Sequence, residues 1–260
     1  MAKSKDVVEK KDNLPATIDF EQHAGEGIEF SRDDVAVPYL TVLQKLSPQC
    51  DEDKGEYIEG AKPGMFFDTV TQELMDGREQ GILVIPCAFQ SVIVEWNRRE
   101  DGGGFVAVHP KDIDTSDCTR NEKNQLVTPR GTILVDTHYH FVLYRNNDGV
   151  WVPAIYSMTS TQLKKSRKWN SLMASIRLNG SNGPYNPPSF SHIYRITTQK
   201  ESNDAGDWFG VRIEKVEQVS DAATFQEAVA FRKLVMSGAV QTQPPAEDNV
   251  VPEAQASGNY

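Results

Sequence analysis

The sequence predicts a mainly β fold with one helix inserted between its third and fourth long strands and a second helix near its end. Three observations predict it. From Gly81 to Val219, β-branched and aromatic residues fall into five runs bounded by Gly, Pro, Asn and Asp clusters. Within that series only the segment from Thr159 to Leu178 has helical periodicity without an interior Gly or Pro. Both ends are polar and poor in large apolar residues, so residues 1–35 are expected to form a disordered acidic arm and residues 239–260 a disordered tail around a body at 36–238.

Order is expected to begin at "VAVPYLTVLQKLS", where Val37, Tyr39, Thr41 and Leu43 alternate with Leu40, Val42 and Gln44 as a strand requires. An acidic loop rich in Gly and Pro follows, and "GMFFDTVTQEL" reads as a short strand or hairpin. "GILVIPCAFQSVIVEWNRR" is too rich in Val and Ile, and too interrupted by Pro86, for a helix; it predicts a long strand with a bend or bulge near Pro86. A polar connection over 98–131 contains three consecutive glycines, and a connection of that length is expected to be functional or mobile. "GTILVDTHYHFVLYR" is the clearest strand, turned by "NNDG" into "VWVPAIYSM".

In the helical segment, Thr159 and Gln162 are spaced for a capping box. At 100° per residue, Trp169, Leu172, Met173 and Ile176 fall on one side and Lys164, Arg167 and Lys168 on the other. "SFSHIYRITT" and "DWFGVRIEKVEQV" give the last two strands, and "DAATFQEAVAFRKLVMSG" a final helix with Phe225, Ala228, Val229, Leu234 and Val235 toward one face and Gly238 as its terminator. Strand, strand, strand, helix, strand, strand is the element order of a β-barrel of the OB-fold-like type. In that fold, ligand-binding loops would fall at 98–131 and 199–207.

Charge is segregated. The chain carries a net charge of −10, yet residues 149–200 hold seven bases and no acid. Trp151, Tyr156, Trp169, Tyr185, Phe190 and Tyr194 are interleaved with them. Cations beside flat π faces suit phosphate neutralisation and base stacking on a single strand, and an acidic total does not prevent it because the local field decides. The expected phosphate contacts are Lys164, Lys165, Arg167, Lys168 and Arg177, with Arg98, Arg99 and Arg195 at the groove edge. Tyr144, Trp151 and Trp169 are the expected base-stacking residues. Parity along the "LVDTHYHFVLY" strand sets Tyr139 and Phe141 on one face and Tyr144 with His138 and His140 on the other.

Asp136, His138 and His140 project from one strand face in a metal-ligand spacing, but no second ligand cluster accompanies them, and contact with nucleic acid is the favoured reading. No cofactor is expected. The glycines at 102–104 lack the Lys and Ser or Thr of a phosphate loop, and no nucleophile motif stands where catalysis needs it, so the chain reads as a binding protein and not an enzyme. Cys50, Cys87 and Cys118 are odd in number and widely spaced, which fits reduced thiols. No signal peptide or long apolar run is seen, so a cytoplasmic protein without a membrane partner is expected.

The strings "VPYLTVLQKLSPQ", "GMFFDTVTQEL", "EWNRREDGGG", "LVDTHYHFVL" and "SMTSTQLKKSRKWNSL" resemble, in that order, bacteriophage single-stranded DNA-binding proteins over residues 36–220. The resemblance implies an OB-like fold, coating of single-stranded DNA in replication and recombination in the host cytoplasm, and a C-terminal tail that recruits replication or recombination proteins. Proteins of that kind often end in a dense acidic tail with a terminal aromatic, whereas the last 17 residues here, "PPAEDNVVPEAQASGNY", carry only Glu247, Asp248 and Glu253 as acids before Tyr260. The competing expectations are a metal-dependent enzyme acting on nucleic acid, with Asp136, His138 and His140 as ligands, and a virion or assembly protein.

Overall fold

A computed structural model describes residues 36–203 and 206–240, together with Gln22, Gly27, Thr242 and Pro244. The expected arm and most of the expected tail lie outside the described residues. Thirteen strands and two helices run β1 (Tyr39–Val42), β2 (Phe66–Asp68), β3 (Leu74–Met75), β4 (Ile82–Trp96), β5 (Phe105–Pro110), β6 (Thr119–Arg120), β7 (Leu126–Val127), β8 (Ile133–Arg145), β9 (Trp151–Thr159), α1 (Gln162–Ser175), β10 (Leu178–Gly180), β11 (Gly183–Tyr185), β12 (His192–Asn203), β13 (Gly206–Gln218) and α2 (Ala222–Met236). The main sheet follows the order β13-β12-β4-β8-β9-β1-β2-β3. Its five long strands have the neighbours of an OB-fold: β4 lies between β8 and β12, β8 between β4 and β9, and β12 beside β13, all antiparallel, with α1 between β9 and β12. The fold is mainly β and OB-fold-like, a curled half-barrel in which β1 adds in parallel to the free side of β9.

Pro86 has no N–H to give the ladder, and the β4–β8 register shifts between Pro86 and Ala88, the bulge its position predicts. The polar connection over 98–131 is more structured than its composition suggests. β5 pairs with the far half of β4, and the β6–β7 hairpin joins the start of β8. The 199–207 loop shrinks likewise to a hairpin tip, since β12 runs to Asn203 and β13 starts at Gly206.

β8 organises the interior. Every residue from Thr137 to Tyr144 is buried, so both faces are covered. Tyr139, Phe141 and Leu143 pack with Tyr39, Ile155 and the α2 residues Ala228, Phe231 and Val235. Val142 and Tyr144, on the opposite face, pack with Val84, Tyr194 and Trp169 of α1. One helix thus lies against each face of the strand.

α1 begins later than the Thr159–Gln162 spacing suggests. Thr159 is still strand, paired with Thr137 of β8; Ser160 turns the chain at φ 49°, and Thr161 precedes the helix without a side-chain cap. α2 is capped by Asp221, whose carboxylate accepts from the Thr224 N–H at 2.7 Å, and Gly238 ends it at φ 74°. Contact with the body continues past the expected boundary at 238: Val240 packs on the α2 side, and Tyr39 Oη donates to the Thr242 carbonyl at 2.9 Å.

Side chains fasten the half-barrel at its opening: the Lys45–Asp207 ion pair at 3.3 Å, Thr198 Oγ1 donating to the Gly64 carbonyl at 2.6 Å, and Gln44. Gln44, two residues past β1, accepts from the Phe209 N–H at 2.8 Å and donates to the Phe209 carbonyl at 3.0 Å, as a neighbouring strand would, while its amide nitrogen also donates to the Val42 carbonyl at 3.2 Å. All three cysteines are free thiols. Among the described residues no helix is long and apolar enough to cross a membrane.

Candidate nucleic-acid interface

Helical spacing puts Lys164, Arg167 and Lys168 together on the solvent side of α1, because positions three and four apart are neighbours. All three are exposed, and none has a carboxylate partner among the described residues. Trp169 on the other side is 1 % exposed and is the apolar anchor, with Leu172 and Met173 packed half-buried beside it.

The remaining expected contacts do not gather on this face. Lys165 is neutralised by Glu201 of β12, which also accepts from Gln199 Nε2 at 2.9 Å and Trp208 Nε1 at 3.2 Å. These donors hold the Glu201 carboxyl below the usual range against the opposing effect of burial. Gly210 leaves room for this pair; a Cβ there would overlap both Glu201 and the Lys165 ammonium. Arg177 is exposed but caps the end of α1, donating to the Ala174 and Ile176 carbonyls at 2.8 and 3.0 Å. Arg195 donates to the Gln80 carbonyl at 2.5 Å, and Arg98 faces Glu100 at 3.6 Å. The Arg99 side chain lies outside the described residues.

The stacking assignments need correction. Tyr144 is fully buried, its hydroxyl donating to Asp68 at 2.6 Å, and burial followed by that carboxylate drives its pKa up. Trp169 has a ring face stacked on His140, centroids 4.5 Å apart. Neither ring has a face free for a base. Trp151 is half-buried against the outer apolar cluster.

Asp136, His138 and His140 share a strand face, as parity requires, but they do not converge on a common point. Asp136 pairs with Lys111 at 2.5 Å, while His138 Nδ1 and His140 Nε2 each lie 2.7 Å from the buried Ser166 Oγ. No group of three potential ligands suited to a metal ion occurs among the described residues. Burial, reinforced by His138, pushes the His140 pKa down to about 3, so this ring is neutral. His140 Nδ1 is buried without a partner, and orphan donors are rarer than orphan acceptors, which assigns the proton to Nε2. His140 Nε2–H then donates to Ser166 Oγ, and the Ser166 hydroxyl donates to His138 Nδ1.

Phe89 completes the patch. It stands opposite His140 in the β4–β8 register, is 39 % exposed, and lays its ring 5.0 Å from His138 and 5.1 Å from His140. His138 also feels the field of Arg167, which, after burial, helps to lower its pKa against the pull of Asp136. An exposed aromatic ring and an unpaired cation therefore flank the same imidazole. The sequence concealed Phe89 because the bulge at Pro86–Ala88 breaks the alternation by which a face would be followed along β4.

Three exposed cations on a helix, with an exposed ring on the half-barrel, make up the α1 side of the molecule. The chain belongs to the Pam3 phage gp34-like protein family, whose model matches residues 8–241, and it is thus a phage protein. No curated protein and no solved structure matches it.

Proposed function

We propose that this phage protein binds single-stranded DNA with little sequence preference, covering strands exposed in replication and recombination. The observation that carries the reading is the unpaired set Lys164, Arg167 and Lys168 beside the exposed ring of Phe89. Cations at this spacing follow phosphates, and an exposed ring accepts any base because every base has a π face. α2 covers the outer face of β8, where Tyr139 and Phe141 lie, so the strand crosses the α1 side of the sheet. The phosphate contacts are narrowed to Lys164, Arg167 and Lys168, and Phe89 takes the stacking role first expected of Tyr144 and Trp169.

Fluorescence anisotropy of a labelled dT strand of about 20 nucleotides, measured against salt, tests this. Wild type should bind at low salt with an affinity that falls steeply as salt rises. K164A/R167A/K168A should flatten the log–log salt slope by about 2, since each phosphate contact on a single strand contributes roughly 0.7. F89A should weaken binding about tenfold while leaving that slope unchanged, because stacking is worth roughly 1–3 kcal/mol per base. Absence of binding at low salt, or a triple variant indistinguishable from wild type, rejects the reading.

A further inference from the structure

The opening fastened by Gln44 borders a second cationic site. A cleft of about 420 Å³ is lined by Lys45, Pro63, Arg78, Thr198, Lys200 and Phe209. Thr198 and Lys200 share a face of β12, and Lys200 stands opposite Phe209 of β13, so register alone brings the wall together. The Lys45 and Lys200 ammonium groups converge on one oxygen, Asp207 Oδ2, at 3.3 and 2.8 Å, and both lysine side chains are 59 % exposed. Three cations line the cleft; Asp207 pairs with two of them, and the exposed Asp76 carboxylate, bonded to the Arg78 N–H at 2.9 Å, lies in the field of the third. The Arg78 guanidinium lies over the Phe209 ring, 4.7 Å from its centroid, and Nη2 donates to the Pro63 carbonyl at 2.6 Å. The ring thus covers one face of the guanidinium and the carbonyl holds its edge, and because Arg78 is exposed the opposite face can take a flat partner.

We propose that this cleft binds a single nucleotide unit, its phosphate between Lys45 and Lys200 and its base on the open plane of Arg78. Two ammonium groups already drawn to one anionic oxygen are arranged to donate to a phosphate oxygen in its place. A guanidinium backed by an aromatic ring offers the base a preset stacking surface. The volume lies within the roughly 300–1,000 Å³ of small-molecule sites. The unit can come from a free nucleotide or from the phosphorylated end of a strand, and the site stands apart from the α1 face.

Calorimetric titration of the full chain with dTMP, thymidine and inorganic phosphate tests the proposal, and dT12 with and without a 5′-phosphate separates the two sources. dTMP should bind at least tenfold more tightly than either thymidine or phosphate. R78A should lose at least tenfold in dTMP affinity. R78K, which keeps the charge and loses the plane, should bind dTMP no better than phosphate, and K45A/K200A should make dTMP resemble thymidine. A 5′-phosphate that strengthens dT12 binding in wild type but not in R78A identifies a strand end; binding of dTMP without that difference identifies a free nucleotide. K164A/R167A/K168A should leave dTMP binding intact, so failure of the α1 reading would not remove this one. If neither dTMP nor 5′-phosphorylated dT12 distinguishes wild type from a folded R78K protein, the proposal is overturned.

Discussion

Replacing Gln44 tests the account of how the half-barrel is fastened. The side chain makes three hydrogen bonds, two to the Phe209 backbone and one to Val42, and no ladder joins β13 to β1 among the described residues. At about 1 kcal/mol net for each, Q44A should lose about 3 kcal/mol. For a chain of this size that corresponds to a fall of roughly 6–12 °C in Tm. Q44M keeps the length and apolar bulk but lacks the amide, so it should lose nearly as much, which separates hydrogen bonding from packing. Urea unfolding followed by tryptophan fluorescence gives the stability, and hydrogen exchange at the Phe209 amide gives the local effect. Both variants within about 0.5 kcal/mol of wild type, with the Phe209 amide still protected, would refute the reasoning.

Two further predictions concern the other polar contacts of the interior. His140 stays neutral in the fold down to about pH 3, whereas a free imidazole titrates near 6.5, so between those values the unfolded chain binds a proton that the folded one refuses. Stability should therefore fall as pH drops below about 6.5, by up to about 1.4 kcal/mol per unit and about 2 kcal/mol by pH 5; urea midpoints at pH 7.5 and 5 check this, and H140Q should flatten the trend. Ser166→Ala removes the hydroxyl shared by His138 Nδ1 and His140 Nε2 and should cost about 2–4 kcal/mol in thermal unfolding, because two buried ring nitrogens lose their partner.

Much of the architecture was legible in the sequence, because strong local signals agreed with the tertiary result. Pro86 marked its bulge, Asn146 to Gly149 their turn, and Gly238 the end of α2. The order of the five long strands and the inserted helix was readable for the same reason. The faces of β8 were not. Alternation sorted Tyr139 from Tyr144 correctly, but period 2 separates faces without saying which is wet, and here both are dry. Parity alone therefore leaves Tyr144 eligible for the surface, whereas it is a core residue bonded to Asp68. The basic face of α1 was visible from spacing, yet the neutralisation of Lys165 was not, because Glu201 is 36 positions away and lies just beyond the acid-free stretch. The cationic cleft was hidden likewise: Lys45, Arg78 and Lys200 come from three segments that only the folded sheet assembles.

With a helix on either side of β8, the molecule has a front and a back divided by a single layer of backbone. Side chains of α2 meet Tyr139 and Phe141, those of α1 meet His138 and His140, and adjacent residues of one strand carry both sets. A change of volume behind the partition, at Phe231 for instance, reaches Ser166 and the cations beyond it only as a shift in the pleat, so repacking at the rear should be felt at the front as displacement of a whole surface.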